Sequence, residues 1–271
     1  MLASFLITLR EGLEAFLIVG IILSYLSRLQ VKQYHKYIYL GVMLGIVVSL
    51  VLAYIFQVVI YGMENELYQH YLMIFILLFA TLVLSYMVFW MSNQSKQIKG
   101  EIEENLERLV TAGNIAGMVF LAFLAVLREG FESVLFFSSL SIGENISAQD
   151  GLIGASLGII VSIILVYALM KGVKNIPIKA FFKYTSLLIL IIAGGLFGSA
   201  VSMMQASGLA PVFMPIVYDI SHILDDRSLI GTFLRALFGY NSSPSLLHLL
   251  SWALYMSSAV ILWKRSYAYA K

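Results

Sequence analysis

The sequence predicts an all-α integral membrane protein with seven transmembrane helices, arranged as two inverted three-helix repeats plus one C-terminal helix. Composition is the first observation. Hydrophobic residues make up 61% of the chain and charged residues 12%, against roughly a quarter charged in a soluble domain. The second is that the apolar residues fall into runs long enough to cross a bilayer, each near the ~20 residues a helical span requires. The third is a charged pentapeptide that occurs twice inside apolar sequence, Arg10-Glu11-Gly12-Leu13-Glu14 and Arg128-Glu129-Gly130-Phe131-Glu132. Charge is costly in hydrocarbon, so six charges in two matched places call for a function.

The spans read in order as 3–26, 38–61, 71–91, 113–139, 152–170, 184–204 and 246–263. Runs of this length must be helical, because lipid offers their backbone groups no partners. The first reads as a true span and not as a cleavable signal, since it lacks a basic leader and the motif interrupts its apolar stretch. Repeat 1 covers about 1–91 and a cytoplasmic linker 92–112. Repeat 2 covers about 113–204, an outer loop 205–245, and helix seven 246–263.

Basic residues set the orientation. Arg28, Lys32 and Lys36 follow span 1; Lys96, Lys99 and Arg108 follow span 3; Lys171, Lys174, Lys179 and Lys183 follow span 5; Lys264, Arg265 and Lys271 close the chain. Apart from the motif arginines, only Arg227 and Arg235 fall on the other side. The N-terminus is therefore expected outside and the C-terminus in the cytoplasm, in a multi-pass protein of the cell membrane. Glu64, Glu66, Glu144, Asp150, Asp219, Asp225 and Asp226 make the outer face acidic. Glu101, Glu103, Glu104 and Glu107 belong to an amphipathic cytoplasmic stretch, where Glu104 and Arg108 stand in the favourable i,i+4 order.

The repeat extends beyond the pentapeptide. Phe5-Leu6 and Leu9 before the first copy answer Phe123-Leu124 and Leu127 before the second. Leu44-Gly45, Ser49, Leu52 and Tyr54 answer Leu157-Gly158, Ser162, Leu165 and Tyr167. Gly41/Gly45 and Gly154/Gly158 are matched small-residue pairs suited to close helix packing. Three spans is an odd number, so the second copy enters the membrane upside down, an architecture that places substrate at the midplane between the halves.

On a helix the first glutamate of each motif lies about 100° from the arginine and the second about 40°, so all three share a face. Counted along the helix, both motifs fall near mid-membrane, roughly 15 Å and 24 Å from their span starts. Gly12 and Gly130 leave room beside the charges for a backbone or an ion. One reading is purely structural, an Arg–Glu pair on each helix, Arg10 with Glu14 and Arg128 with Glu132; it leaves Glu11 and Glu129 without a partner. A proton relay is a second. A cation site is the third, because buried unpaired carboxylates protonate or take up a cation. Oxygen donors suit hard cations without distinguishing iron from manganese, calcium or magnesium.

Other classes find little support. The absence of cysteine removes thiolate metal sites and disulfides. No basic patch suggests nucleic acid, and no HExxH or GxSxG sequence suggests a hydrolase. Haem is poorly served, with no two histidines facing each other at mid-depth. His35 and His70 sit at loop edges and His248 near the outer end of span 7. His222 belongs to the polar stretch Asp219 to Asp226, read as a surface helix, with a cation-collecting mouth formed by Asp219, Asp225 and Asp226 as the alternative.

The twin Arg-Glu-Gly-x-Glu motifs in spans 1 and 4 of a seven-span chain resemble the high-affinity iron permease family, the oxidase-coupled iron and lead transporters. The resemblance implies a transporter and not an enzyme. It implies iron binding by Glu11, Glu14, Glu129 and Glu132, with Arg10 and Arg128 supporting them. Iron is then the transported substrate, with no permanently bound cofactor, and is expected to pass as ferric iron after extracytoplasmic oxidation. The implied partners are a separate oxidase or haem peroxidase and an iron-binding protein. Rocking of the two repeats would expose the site to each side in turn. A proton-coupled transporter of another divalent or heavy-metal cation, such as manganese or lead, is the alternative.

Overall fold

The computed structural model describes residues 2–62, 65–94, 98–144, 148–171, 178–226 and 228–269. Glu64, Lys96, Lys174, Arg227 and Lys271, which entered the charge pattern above, lie outside the described residues. Among the described residues the α-helices are α1 (Leu2–Arg28), α2 (His35–Tyr61), α3 (Glu66–Gln94), α4 (Ile98–Thr111), α5 (Ile115–Glu144), α6 (Ala148–Met170), α7 (Ile178–Ala206), α8 (Leu229–Phe238) and α9 (Leu246–Tyr269).

Among the described residues, five stretches are long and apolar enough to cross a membrane: Lys32–Ile60, Glu66–Trp90, Gly151–Met170, Phe181–Ala206 and Leu246–Ser266. α1 and α5 are as long, at 27 and 30 residues, but each carries a charged motif in its middle. Nearly every helix overruns the span read for it. The apolar run marks only the part matched to hydrocarbon, whereas the backbone ladder continues into the polar interface.

Packing pairs α1 with α6 and α2 with α5 most extensively; α3 lies on α7, and α7 on α9. The outer surfaces of α2 and α6 are strongly apolar, with Leu50, Tyr54, Ile164 and Tyr167 all exposed. In water such faces would drive association; in a bilayer they are the lipid contact.

Two apolar clusters bracket the charged motifs. One gathers Ile7 of α1, Leu77 and Leu84 of α3, Leu135 and Phe136 of α5 and Leu190 of α7. The other gathers Ile22 and Leu26 of α1, Ile38 of α2, Leu106 of α4 and Met118 and Ala122 of α5. On α1 the motif falls between Ile7 and Ile22, and on α5 between Ala122 and Leu135. Apolar side chains thus flank the charges along both helices.

Two readings of residues 205–245 are corrected. Residues 205–245 contain a helix, α8, capped at its start by Ser228, whose Oγ accepts from Gly231 N at 2.9 Å. Gly239 ends it with a left-handed φ of 67°, and its N–H bonds back to Arg235 O. The stretch from Asp219 to Asp226, expected as a surface helix, is a series of turns instead. Asp219 Oδ1 accepts from Ser221 N at 2.9 Å and from Ser221 Oγ at 2.6 Å. Such a local bond competes with the helical ladder and wins here.

Candidate cation site between the two motifs

α1 and α5 meet at their motifs. Carboxylate oxygens of Glu11, Glu14 and Glu129 all lie within 4.8 Å of one another. Glu132 falls outside that group but is buried like the other three. The helix explains the convergence: residues one and four positions after each arginine share its face, and each motif turns that face inward.

The arginines do more than the i,i+4 pairing expected of them. Arg10 Nη1 reaches Glu11 Oε1 at 3.1 Å, and Nη2 reaches Glu14 Oε1 at 3.0 Å. Arg128 Nε lies 3.1 Å from Glu132 Oε1 and 3.8 Å from Glu129 Oε1. Each guanidinium therefore spans both glutamates of its own motif, which corrects the expectation that Glu11 and Glu129 have no partner. The pairing is still incomplete. Glu11 Oε2, Glu129 Oε2 and Glu132 Oε2 are buried with no hydrogen-bond partner, and Glu14 Oε1 lacks hydrogen-bond geometry despite its close guanidinium.

The two halves differ in depth. Arg10 has no exposed surface, while the Arg128 side chain is 43% exposed. α3 serves both from one face: Met87 Sδ accepts from Arg10 Nη1 at 3.4 Å, and the Trp90 ring lies 4.4 Å from the Arg128 guanidinium carbon. A cation over an indole face is a favourable arrangement. Sequence reasoning missed Met87 and Trp90, because neither belongs to a repeat or a polar motif.

The outer acids are engaged locally. Asp226 Oδ1 accepts from Ser242 N and Oδ2 from Ser242 Oγ, both at 2.9 Å. Asp219 is exposed, and its bonds from Ser221 hold its carboxyl below the usual aspartate range. The group is thus charged at any physiological pH. Asp225 is exposed as well. None of the three approaches the carboxylate cluster.

His248, expected near the outer end of the last span, is buried there and hydrogen-bonded through Nδ1 to Ser202 Oγ at 2.7 Å. It shares with His70 a cavity of about 460 Å³ bounded by α3, α5, α7, α8 and α9. His70 Nδ1 donates to the Glu66 carbonyl at 2.7 Å, and His35 Nε2 meets Ser27 Oγ at 3.3 Å. Among the described residues no histidine belongs to the glutamate group.

The profile of the iron permease FTR1 family matches residues 1–271. The ferrous iron permease EfeU of Escherichia coli O6:H1 is 36% identical over 267 residues, covering 96% of this chain and 94% of the relative. The ferrous iron permease EfeU of Yersinia pestis is also 36% identical over 267 residues, covering 97% and 93%. No solved structure matches the chain. With the match spanning every residue and both relatives aligned nearly end to end, the chain belongs to the iron permease FTR1 family, a family of membrane transporters.

Proposed function

We propose that this chain imports iron across the cytoplasmic membrane through a site formed by Glu11, Glu14, Glu129 and Glu132. The observation that carries the reading is the convergence of buried carboxylates from both motifs, with oxygens left unpartnered on Glu11 and Glu129. A buried carboxylate oxygen without a donor is expensive, and a cation between the motifs removes the expense. Arg10 and Arg128 hold the carboxylates together when no cation is there. Four carboxylates against two guanidiniums leave a formal charge of two minus, which one divalent ion cancels.

That balance favours ferrous iron at the site, and ferrous iron is also the cargo named for the relatives. Ferric iron is the second reading. An all-oxygen donor set without imidazole suits the harder ion, and it would be supplied by a separate extracytoplasmic oxidase or haem peroxidase, with an iron-binding protein beside it. The acidic outer face concentrates cations in either case.

The architecture proposed is seven spans in two inverted repeats, α1–α3 and α5–α7, followed by α9, with the N-terminus outside. The pairing of α1 with α6 and of α2 with α5 supports it, because exchanging the halves turns one pair into the other. Those cross-half pairs, more than the sequence repeats themselves, are the units we expect to rock when the site opens to either side.

Radioactive iron uptake into reconstituted vesicles tests the proposal, with iron presented as ferrous under ascorbate or as a ferric chelate. Glu11→Gln and Glu129→Gln, at wild-type protein levels, should each lose about tenfold or more of the rate. Wild-type rates in both variants would remove the glutamates from the path. Uptake inhibited by manganese more than by excess unlabelled iron would favour the other divalent-cation reading.

A further inference from the structure

The glycine inside each motif sits against a serine of the opposite half. A Cβ added at Gly12 would lie 2.6 Å from Ser162 Oγ and 3.2 Å from Ser162 Cβ. One added at Gly130 would lie 2.6 Å from Ser49 Cβ, with Ser49 Oγ nearer still. Both serines are buried. Their hydroxyls are satisfied within their own helices: Ser49 Oγ donates to Gly45 O and Ser162 Oγ to Ile159 O, each at 2.8 Å. What they present across the interface is therefore a small volume at a fixed place, and not a bond the motif needs.

The surrounding contacts are built alike in both halves. A Cβ at Gly158 would lie 2.9 Å from Thr8 Cβ and 2.7 Å from Phe5 O. One at Gly45 would lie 2.9 Å from Val126 Cβ and 3.1 Å from Phe123 O. Thr8 and Val126 each stand two residues before their motif arginine, and Phe5 and Phe123 five before. Ser162 and Ser49 each follow their glycine by four. Each crossing thus has two interlocking points, a glycine of one helix against the other helix, and a serine returned against the motif glycine.

We infer that Ser49 and Ser162 are positioning residues for the carboxylate cluster. Each fixes how closely its own helix packs on the motif helix of the other half, and so where that helix holds its two glutamates in the cluster. Gly12 lies directly after Glu11 and two residues before Glu14, as Gly130 lies between Glu129 and Glu132, so a displaced glycine carries both flanking carboxylates with it. Ligand distances at a metal site tolerate only about ±0.2 Å, less than the shift an added methyl would force here. The inference rests on the proposed role of the glutamates as ligands.

The test is a set of rescue pairs in reconstituted vesicles, reading initial iron uptake, its apparent KM and the preference for iron over manganese at matched protein levels. Gly130→Ala should lose about tenfold or more of the rate. Gly12→Ala should lose less, because behind the hydroxyl it meets Ser162 Cβ at 3.2 Å, while Gly130 meets Ser49 Cβ at 2.6 Å. Gly12→Ala with Ser162→Ala should recover. Gly130→Ala should recover with Ser49→Gly but not with Ser49→Ala. KM and metal preference should return together with the rate. Equal rescue by the crosswise pair Gly130→Ala with Ser162→Gly would overturn the inference. So would recovery with Ser49→Ala, or single variants whose KM and metal preference stay wild-type. A failure of the glutamate reading shows separately, as wild-type uptake in Glu11→Gln and Glu129→Gln.

Discussion

At the scale of single residues, the two motif arginines are chemically the same and energetically different. Arg10 is wholly enclosed, with Glu11 and Glu14 at 3.1 and 3.0 Å; Arg128 is 43% exposed beside Trp90. Removing one partner of a buried ion pair costs about 3–5 kcal/mol, because the other charge is left stranded. Where one partner is partly exposed, as Arg128 is beside its buried glutamates, the effective dielectric is higher and the loss smaller. Arg10→Met should therefore lower the melting temperature of the purified protein well below that of Arg128→Met. Equal losses would mean that the two arginines see the same dielectric. The six motif charges themselves were legible in the sequence, since their cost in lipid makes them conspicuous. Which arginine lies deeper was not, because that is set by where α3 delivers Met87 and Trp90, and neither side chain carries a periodic or polar signal. The pairing of Glu11 with Arg10 was hidden for a related reason. Helical angles place side chains on a face but say nothing of how far a guanidinium fork reaches along it.

At the scale of elements, α4 shows how little of an amphipathic helix's charge matters to its attachment. Leu106 is completely buried among Ile22 and Leu26 of α1, Ile38 of α2 and Met118 and Ala122 of α5. Arg108 and Glu104 form an ion pair with both side chains mostly exposed. Leu106→Ala should destabilise the protein by about 2–5 kcal/mol, the usual cost of an emptied leucine site. Arg108→Ala should change stability by only about 0.5 kcal/mol. Thermal unfolding of the two variants checks the contrast, and a larger effect from Arg108 would mean that the ion pair and not the leucine anchors the helix. The long helices were readable because apolar length is itself the signal for a span. α8 was not, since ten residues inside a loop offer too short a pattern, and its Ser228 and Gly239 caps are recognisable only once the helix is known. The turns from Asp219 to Asp226 misled for the opposite reason. Their apolar and polar spacing suits a helix, but Asp219 finds a nearer partner in Ser221 than the helical ladder provides.

At the scale of the whole molecule, the proposed mechanism depends on which face of each helix end meets which solution, because a site shared by inverted halves must open once to each side. The chain has no cysteine, so single introduced cysteines report sidedness without background. Leu2 at the start of α1, Ile223 in the outer turns, Glu104 on α4 and Arg265 near the end of α9 all have exposed side chains. In right-side-out vesicles a membrane-impermeant maleimide should label Leu2→Cys and Ile223→Cys directly. Glu104→Cys and Arg265→Cys should react only after permeabilisation. The complete reverse would invert the protein and place the acidic face in the cytoplasm, where it could not gather cations for import. Labelling of Leu2→Cys and Arg265→Cys from the same side would require an even number of crossings. The bias of basic residues toward one face argues for the first outcome, because each translocated Lys or Arg opposes insertion in the other sense.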